Sequence, residues 1–166
     1  MNKNDNPILD FENINFVNFN NFKYKDMFYK FCDLYPNIEK ERIEIANFDK
    51  DNINKTDLVY CFVYKNNLLK IGSTTTSFKN RVQSYNCGKK KYREIGTCST
   101  TNYFVLQSLL NLKETIEVYI YFPEKQKVMF LENEEIKICI PSKVYEKKML
   151  EMLKKENKMP ILCTQV

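Results

Sequence analysis

The sequence predicts an α/β fold of the mixed α+β kind: a small central antiparallel sheet flanked by helices, preceded by an N-terminal helical extension. Three observations carry this. Two β-favouring apolar runs, 58–64 and 68–72, are separated by the short polar stretch Lys65-Asn66-Asn67, the pattern of a hairpin. Residues 115–122 (TIEVYIYF) alternate at period two, as a strand does. The segments after Ser77 and after Pro141 carry apolar stripes at helical spacing.

Taken in order, residues 1–22 are rich in asparagine and phenylalanine without a clean period and read as an irregular arm or a short strand. Residues 25–35 place Met27/Phe28, Phe31 and Leu34/Tyr35 at helical spacing, Pro36 interrupts them, and 38–48 (IEKERIEIANF) is expected to form a second short helix. Residues 49–56 are polar and read as a linker. The expected organisation is an extension over 1–54, with an arm and two short helices, and a core over 55–166. In the hairpin, putting Val59, Cys61, Val63, Leu69 and Ile71 on one face leaves Tyr60, Phe62 and Tyr64 sharing the other with Leu68, Lys70 and Gly72. A two-residue turn would shift the register and undo this. Ser77 can N-cap a helix to about Asn86, with Phe78, Val82 and Tyr85 inward and Arg81 beside them. A helix over 101–112, a strand over 115–122, a β-pair over 128–131 and 135–140 around the acidic turn Glu132-Asn133-Glu134, and a helix from Ser142 to about Glu156 complete the chain.

A chain of 166 residues with 43% hydrophobic and 14% aromatic content can bury a core. No stretch approaches the ~18 consecutive apolar residues of a membrane span. The start, MNKNDNPILDFENINF, lacks the basic-then-apolar pattern of a secretory signal, so a cytoplasmic protein with no membrane partner is expected. The six cysteines form no C-x-x-C pair and there is no histidine, which argues against a zinc site. Cys61 and Cys139 read as small buried hydrophobes. The net charge of +5 permits a polyanionic partner. Lys89, Lys90, Lys91 and Arg93 gather around Tyr92 in a turn-like context after Gly88. They are candidate phosphate contacts; a solvated loop is the competing reading.

The last helix holds an anomaly. Glu146 falls inside the stripe made by Tyr145, Met149, Met152 and Leu153, and a carboxylate facing a core must be paired, neutral or bound to a cation. Together with Tyr60 and Lys70 on one sheet face and Arg81 on the next helix, it composes a site suited to a phosphodiester. Cations would hold the phosphate and lower the tyrosine pKa, and the carboxylate would anchor a divalent metal.

Leu58-Val59-Tyr60, followed after a short turn by Lys70-Ile71-Gly72-Ser73-Thr74, resembles the paired signature of the GIY-YIG nuclease superfamily, with Arg81 and Glu146 at its helix arginine and metal-binding glutamate. The resemblance covers roughly residues 57–163. With lysine at position 70 and Arg81-Val82-Gln83-Ser84-Tyr85-Asn86-Cys87-Gly88 following, the chain is most similar to the small type II restriction endonucleases of that superfamily. Leu58, Lys70 and Tyr85 depart from the general pattern in the manner of that branch. The asparagine common near the family's C-terminus has no clear counterpart around Pro160 to Thr164. The resemblance implies a GIY-YIG-like core, with Tyr60 as a phenolate general base and Lys70 and Arg81 stabilising it and the phosphate. It further implies that Tyr85 hydrogen-bonds a phosphate oxygen or Tyr60, that Glu146 holds one Mg²⁺ (or Mn²⁺), and that Gly72 and Ser73 lie against the DNA.

The expected function is therefore a sequence-specific type II restriction endonuclease acting on double-stranded DNA, as a homodimer because a symmetric site is cut twice. A companion DNA methyltransferase acting on the same site is a further implied partner. The alternatives are a structure-specific DNA repair nuclease and a non-catalytic DNA-binding module. RNA in place of DNA stays open on the sequence.

Overall fold

The computed structural model of the chain describes residues 16–129 and 134–163. Six strands form one sheet: β1 (Val17–Asn18), β2 (Tyr29–Asn37), β3 (Arg42–Ala46), β4 (Leu58–Tyr64), β5 (Asn67–Thr74) and β6 (Ile116–Tyr121). Their order across the sheet is β1-β5-β4-β6-β2-β3 and every neighbouring pair is antiparallel. Helices α1 (Phe78–Asn86), α2 (Lys90–Glu94) and α3 (Thr100–Leu112) lie between β5 and β6 in the chain. Strands β7 (Lys125–Met129) and β8 (Glu135–Cys139) pair as a separate two-stranded ribbon, and α4 (Ser142–Lys155) follows. Among the described residues no helix is long and apolar enough to cross a membrane. The expected small antiparallel sheet flanked by helices is the observed fold.

β4 is buried on both faces, which is why it reads as an unbroken apolar run. Tyr60 and Phe62 pack with Phe78, Val82 and Tyr85 of α1 and with Phe104 and Leu109 of α3. Val59, Cys61 and Val63 pack on the opposite side with Phe19, Phe22, Met149 and Leu153. Each such side chain contributes about 1.5–3 kcal/mol by leaving water, so α1 and α4 are pinned to opposite faces of one hairpin.

That hairpin does not turn as expected, yet its faces come out almost as expected. The turn is the two-residue pair Lys65-Asn66, both at positive φ (45° and 65°), with Tyr64 opposite Asn67. Such a turn alone would set Lys70 opposite Cys61, on the wrong face. A register shift between Phe62 and Val63 absorbs Leu69 as an extra residue, so that Phe62 faces Lys70 and Tyr60 faces Gly72. The bulge exchanges the two leucines: Leu69 joins the Tyr60 side and Leu68 the other, the reverse of the expectation.

Both helices expected before residue 55 are strands. Residues 25–35 begin with a 3-10 turn at Lys25–Met27 and continue as β2. A bulge between Lys30 and Cys32 buries Phe31 and Cys32 in succession, so Phe28, Phe31 and Leu34 fall three apart and imitate a helix. In 38–48 a turn with Glu41 at φ 48° leads into β3, where Ile43 and Ile45 alternate at period two. Pro36 sits in β2 opposite Ile43, beyond the part of β2 that pairs with β6. β2 and β3 thus belong to the same sheet as β4. The free edge of β3 is closed by Asn86, whose amide accepts from the Ile43 N–H at 2.8 Å and donates to the Ile43 carbonyl at 3.0 Å.

Of the later elements, α1, α3, β6, β8 and α4 fall close to their expected ranges, whereas β7 begins at Lys125 rather than Val128 and residues 130 and 131 lie outside the described residues. Ser77 caps α1, accepting from the Asn80 N–H at 3.3 Å. The short strand expected near the N-terminus is β1, while residues 1–15 and the expected turn at Glu132 and Asn133 lie outside the described residues. Cys61 is fully buried, whereas Cys139, at the base of the ribbon, is half-buried, with its thiol 3.8 Å from Asp57.

Candidate active site

The site forms because β4 and α1 each deliver aromatic and cationic side chains to one point. Tyr60 is 1% exposed, and its hydroxyl lies 2.5 Å from that of Tyr85, which is also buried. Arg81 bridges them: Nε donates to the Tyr60 hydroxyl at 3.1 Å and Nη2 to the Tyr85 hydroxyl at 3.2 Å, with the guanidinium 4.3 Å from the Tyr85 ring centre. Spacing explains the triad. Arg81 and Tyr85 are four residues apart on α1, one turn, so both reach the same hydroxyl.

Lys70 is 6% exposed, two residues from the partner of Tyr60 on β5. Its ammonium donates to the Leu162 carbonyl at 3.1 Å. That carbonyl belongs to a 3-10 turn, Ile161–Cys163, laid along the outer edge of β5 beyond the short β1 pairing. Cys163 holds the turn there. Its thiol receives the Ile71 N–H at 3.4 Å and donates to the Ile71 carbonyl at 3.2 Å, doing for the edge what a neighbouring strand would do. Neither Leu162 nor Cys163 was expected from the sequence.

Glu146 arrives from the α4 side of the sheet. It is half-buried and accepts a hydrogen bond from the Ser73 hydroxyl, and it has no ion pair among the described residues. Tyr60, Arg81 and Tyr85 lie on the α1 side. Cys163, on the edge of β5, is within electrostatic reach of both Lys70 and Glu146.

Gly72 has a packing reason. A Cβ there would run into the Oη and Cζ of Tyr60, so only glycine lets the tyrosine ring lie across β5. The basic run forms the short helix α2 rather than a loop. Its bonds run away from Tyr60: Lys89 Nζ to the Lys40 carbonyl at 2.8 Å, the Lys90 N–H to Glu41 at 2.7 Å, and Arg93 to Thr100 at 3.2 Å, while the Lys91 ammonium lies over the Tyr92 ring.

Lys70 and Arg81 do pull the Tyr60 pKa down, but burial, reinforced by Tyr85, pushes it well above the usual 10.0. Burial likewise raises Tyr85, although Arg81 opposes it. The arrangement is thus a phenol pair beside two cations, with a carboxylate nearby and no histidine in the chain.

No protein-family model and no curated protein sequence matches the chain. Among solved structures it is similar to restriction endonuclease HPY188I in complex with product DNA, at 44% identity over 92% of this chain and 88% of that one, with a TM-score of 0.67. It is also similar to a mutant of bacteriophage T4 EndoII, at 17% identity over 87% of this chain and 98% of that one, with a TM-score of 0.57. At that identity the second likeness concerns the fold alone.

Proposed function

Because the chain belongs to the family of the restriction endonuclease HPY188I, we propose that it is a type II restriction endonuclease, of the GIY-YIG kind, that hydrolyses double-stranded DNA at a specific sequence. The observation that carries this reading is the buried Tyr60 hydroxyl held between Arg81 and Tyr85. A structural tyrosine rarely has a guanidinium and a second phenol on its one oxygen. A general base poised to lose its proton needs cations aimed at that oxygen.

In this mechanism Tyr60 gives up its own proton to solvent as the DNA phosphate enters, and its phenolate then accepts the proton of the attacking water. Arg81 stabilises that phenolate before it takes the proton, and Lys70, beside it, adds charge toward the phosphate. Tyr85 orients the Tyr60 hydroxyl and can turn its own toward a phosphate oxygen. A divalent ion would have Glu146 as its protein ligand in this reading. No group of three His, Cys, Asp or Glu side chains gathers among the described residues, so Glu146 would hold Mg²⁺ or Mn²⁺ alone, in the manner of sites that rely on water and substrate phosphate for the remaining ligands. Its carboxylate bonds a hydroxyl, so no ammonium has to be displaced. Bound there, the ion would supply positive charge to the phosphate and the leaving oxygen. A homodimer would cut both strands of a symmetric site, and a methyltransferase of the same specificity would protect the host.

The test is a digest of unmethylated plasmid with Mg²⁺, followed by mapping of the ends. Discrete, reproducible fragments are expected. Cleavage confined to flaps or junctions would replace this reading with a structure-specific nuclease, and binding without cleavage under any divalent ion would replace it with a binding module.

A further inference from the structure

Of the ten exposed large hydrophobic side chains among the described residues, five fall between positions 128 and 144: Val128, Met129, Ile138, Ile140 and Val144. The five sit on the β7/β8 ribbon and its continuation into α4. Val128 and Ile138 share one face of the ribbon and Met129 lies on the other, so apolar side chains are exposed on both of its faces. β7 is exposed along its whole length, and among the described residues the ribbon has no third strand. An isolated two-stranded ribbon is marginal in water, and its unpaired outer edges are templates for another strand.

The register decides what fits. Val128 faces Ile136 on one side of the ribbon, and Lys127 faces Lys137 on the other, with Lys127 bonded to Glu135 at 2.7 Å. Lys137 has no ion pair among the described residues. The sequence of β8, Glu135-Ile136-Lys137, is self-complementary when run against itself antiparallel. Glu135 then meets lysine 137 of the other copy, twice, about Ile136 at the centre. β7 offers no equivalent, because Lys125-Gln126-Lys127-Val128-Met129 contains no acidic side chain.

We propose that the outer edge of β8 pairs antiparallel with β8 of a second copy of this chain about Ile136, making a four-stranded ribbon across a two-fold axis. The proposal rests on the homodimer reading above and gives it a surface. It also links the dimer to the site. β8 leads through Ile140 and Pro141 into α4, whose start is fixed by Asp57 accepting from the Ser142 N–H at 3.0 Å. Asp57 directly precedes β4. The axis through Ile136 therefore sets the two Glu146 helices and the two Tyr60 strands symmetrically, as two cuts in one symmetric site require.

Sedimentation equilibrium of the full chain without DNA tests this, with circular dichroism confirming folding of each variant. The wild type is expected at twice the 19.9 kDa of one chain. Lys137→Glu sets like charges opposite each other and is expected to raise the dimer dissociation constant by roughly tenfold or more. Adding Glu135→Lys to it restores opposite charges and is expected to restore the dimer. A wild-type dimer that ignores Lys137→Glu, or that the double change does not rescue, overturns the surface. A monomeric wild type overturns the homodimer as well, and leaves the nuclease reading to the plasmid digest, which is independent of it.

Discussion

Two opposing effects act on the Tyr60 oxygen, and the balance between them is what the site controls. Burial favours the neutral phenol and outweighs Lys70 and Arg81. In the proposed mechanism, a bound DNA phosphate and its divalent ion would shift that balance, with Arg81 already hydrogen-bonded to the oxygen. The ring must lie across β5 for this to work, which makes Gly72 the most constrained position near the site. Gly72→Ala is expected to displace the Tyr60 ring, destabilise the fold by about 1–3 kcal/mol, and lower the cleavage rate by about a hundredfold. Chemical denaturation and single-turnover kinetics on the same preparation check both. Some of this was legible in the sequence. The spacing of Arg81 and Tyr85, and an inward Glu146, follow from helical periodicity. The Leu162 carbonyl does not, because a backbone acceptor leaves no residue-type signature.

At the scale of elements, the decisive features are two bulges and one turn. The bulge at Leu69 compensates the two-residue turn at Lys65-Asn66 and returns Lys70 to the Tyr60 face. The faces of Tyr60 and Lys70 were therefore readable from alternation, whereas the compensation was not, since a bulge is a backbone event. The bulge in β2 had the opposite effect, making a strand look helical. Ile43 and Ile45 did carry a strand's alternation, and the reading of 38–48 as a helix missed it. The C-terminal turn is the element on which Lys70 depends. Cys163→Val removes both bonds to Ile71 at nearly constant volume and is expected to lower the cleavage rate by about tenfold or more with DNA affinity retained. In a Lys70→Met background the same change is expected to have little further effect, and a double-mutant cycle measures that coupling. Additive losses would mean that Cys163 serves stability alone.

For the whole molecule, burying the sheet on both faces places several weak acids in the core. Tyr60, Tyr85, Cys32, Cys61 and Cys163 all have pKa values raised by burial above their ordinary 10.0 and 9.0. The folded protein therefore keeps protons that the unfolded chain releases. The stability these groups contribute is fully present below about pH 9 and is lost as pH rises through 10 and beyond. Urea unfolding at neutral and alkaline pH should show a falling midpoint, with a smaller fall in Tyr60→Phe. The same variant gives the most direct test of the chemistry. Tyr60→Phe keeps the ring and its packing and removes only the oxygen on which Arg81 and Tyr85 converge. Single-turnover cleavage of a duplex containing the mapped site should fall by at least about a hundredfold, with the dissociation constant for that duplex changed little. A Tyr60→Phe enzyme that cuts at the wild-type rate would contradict the assignment of Tyr60 as the base.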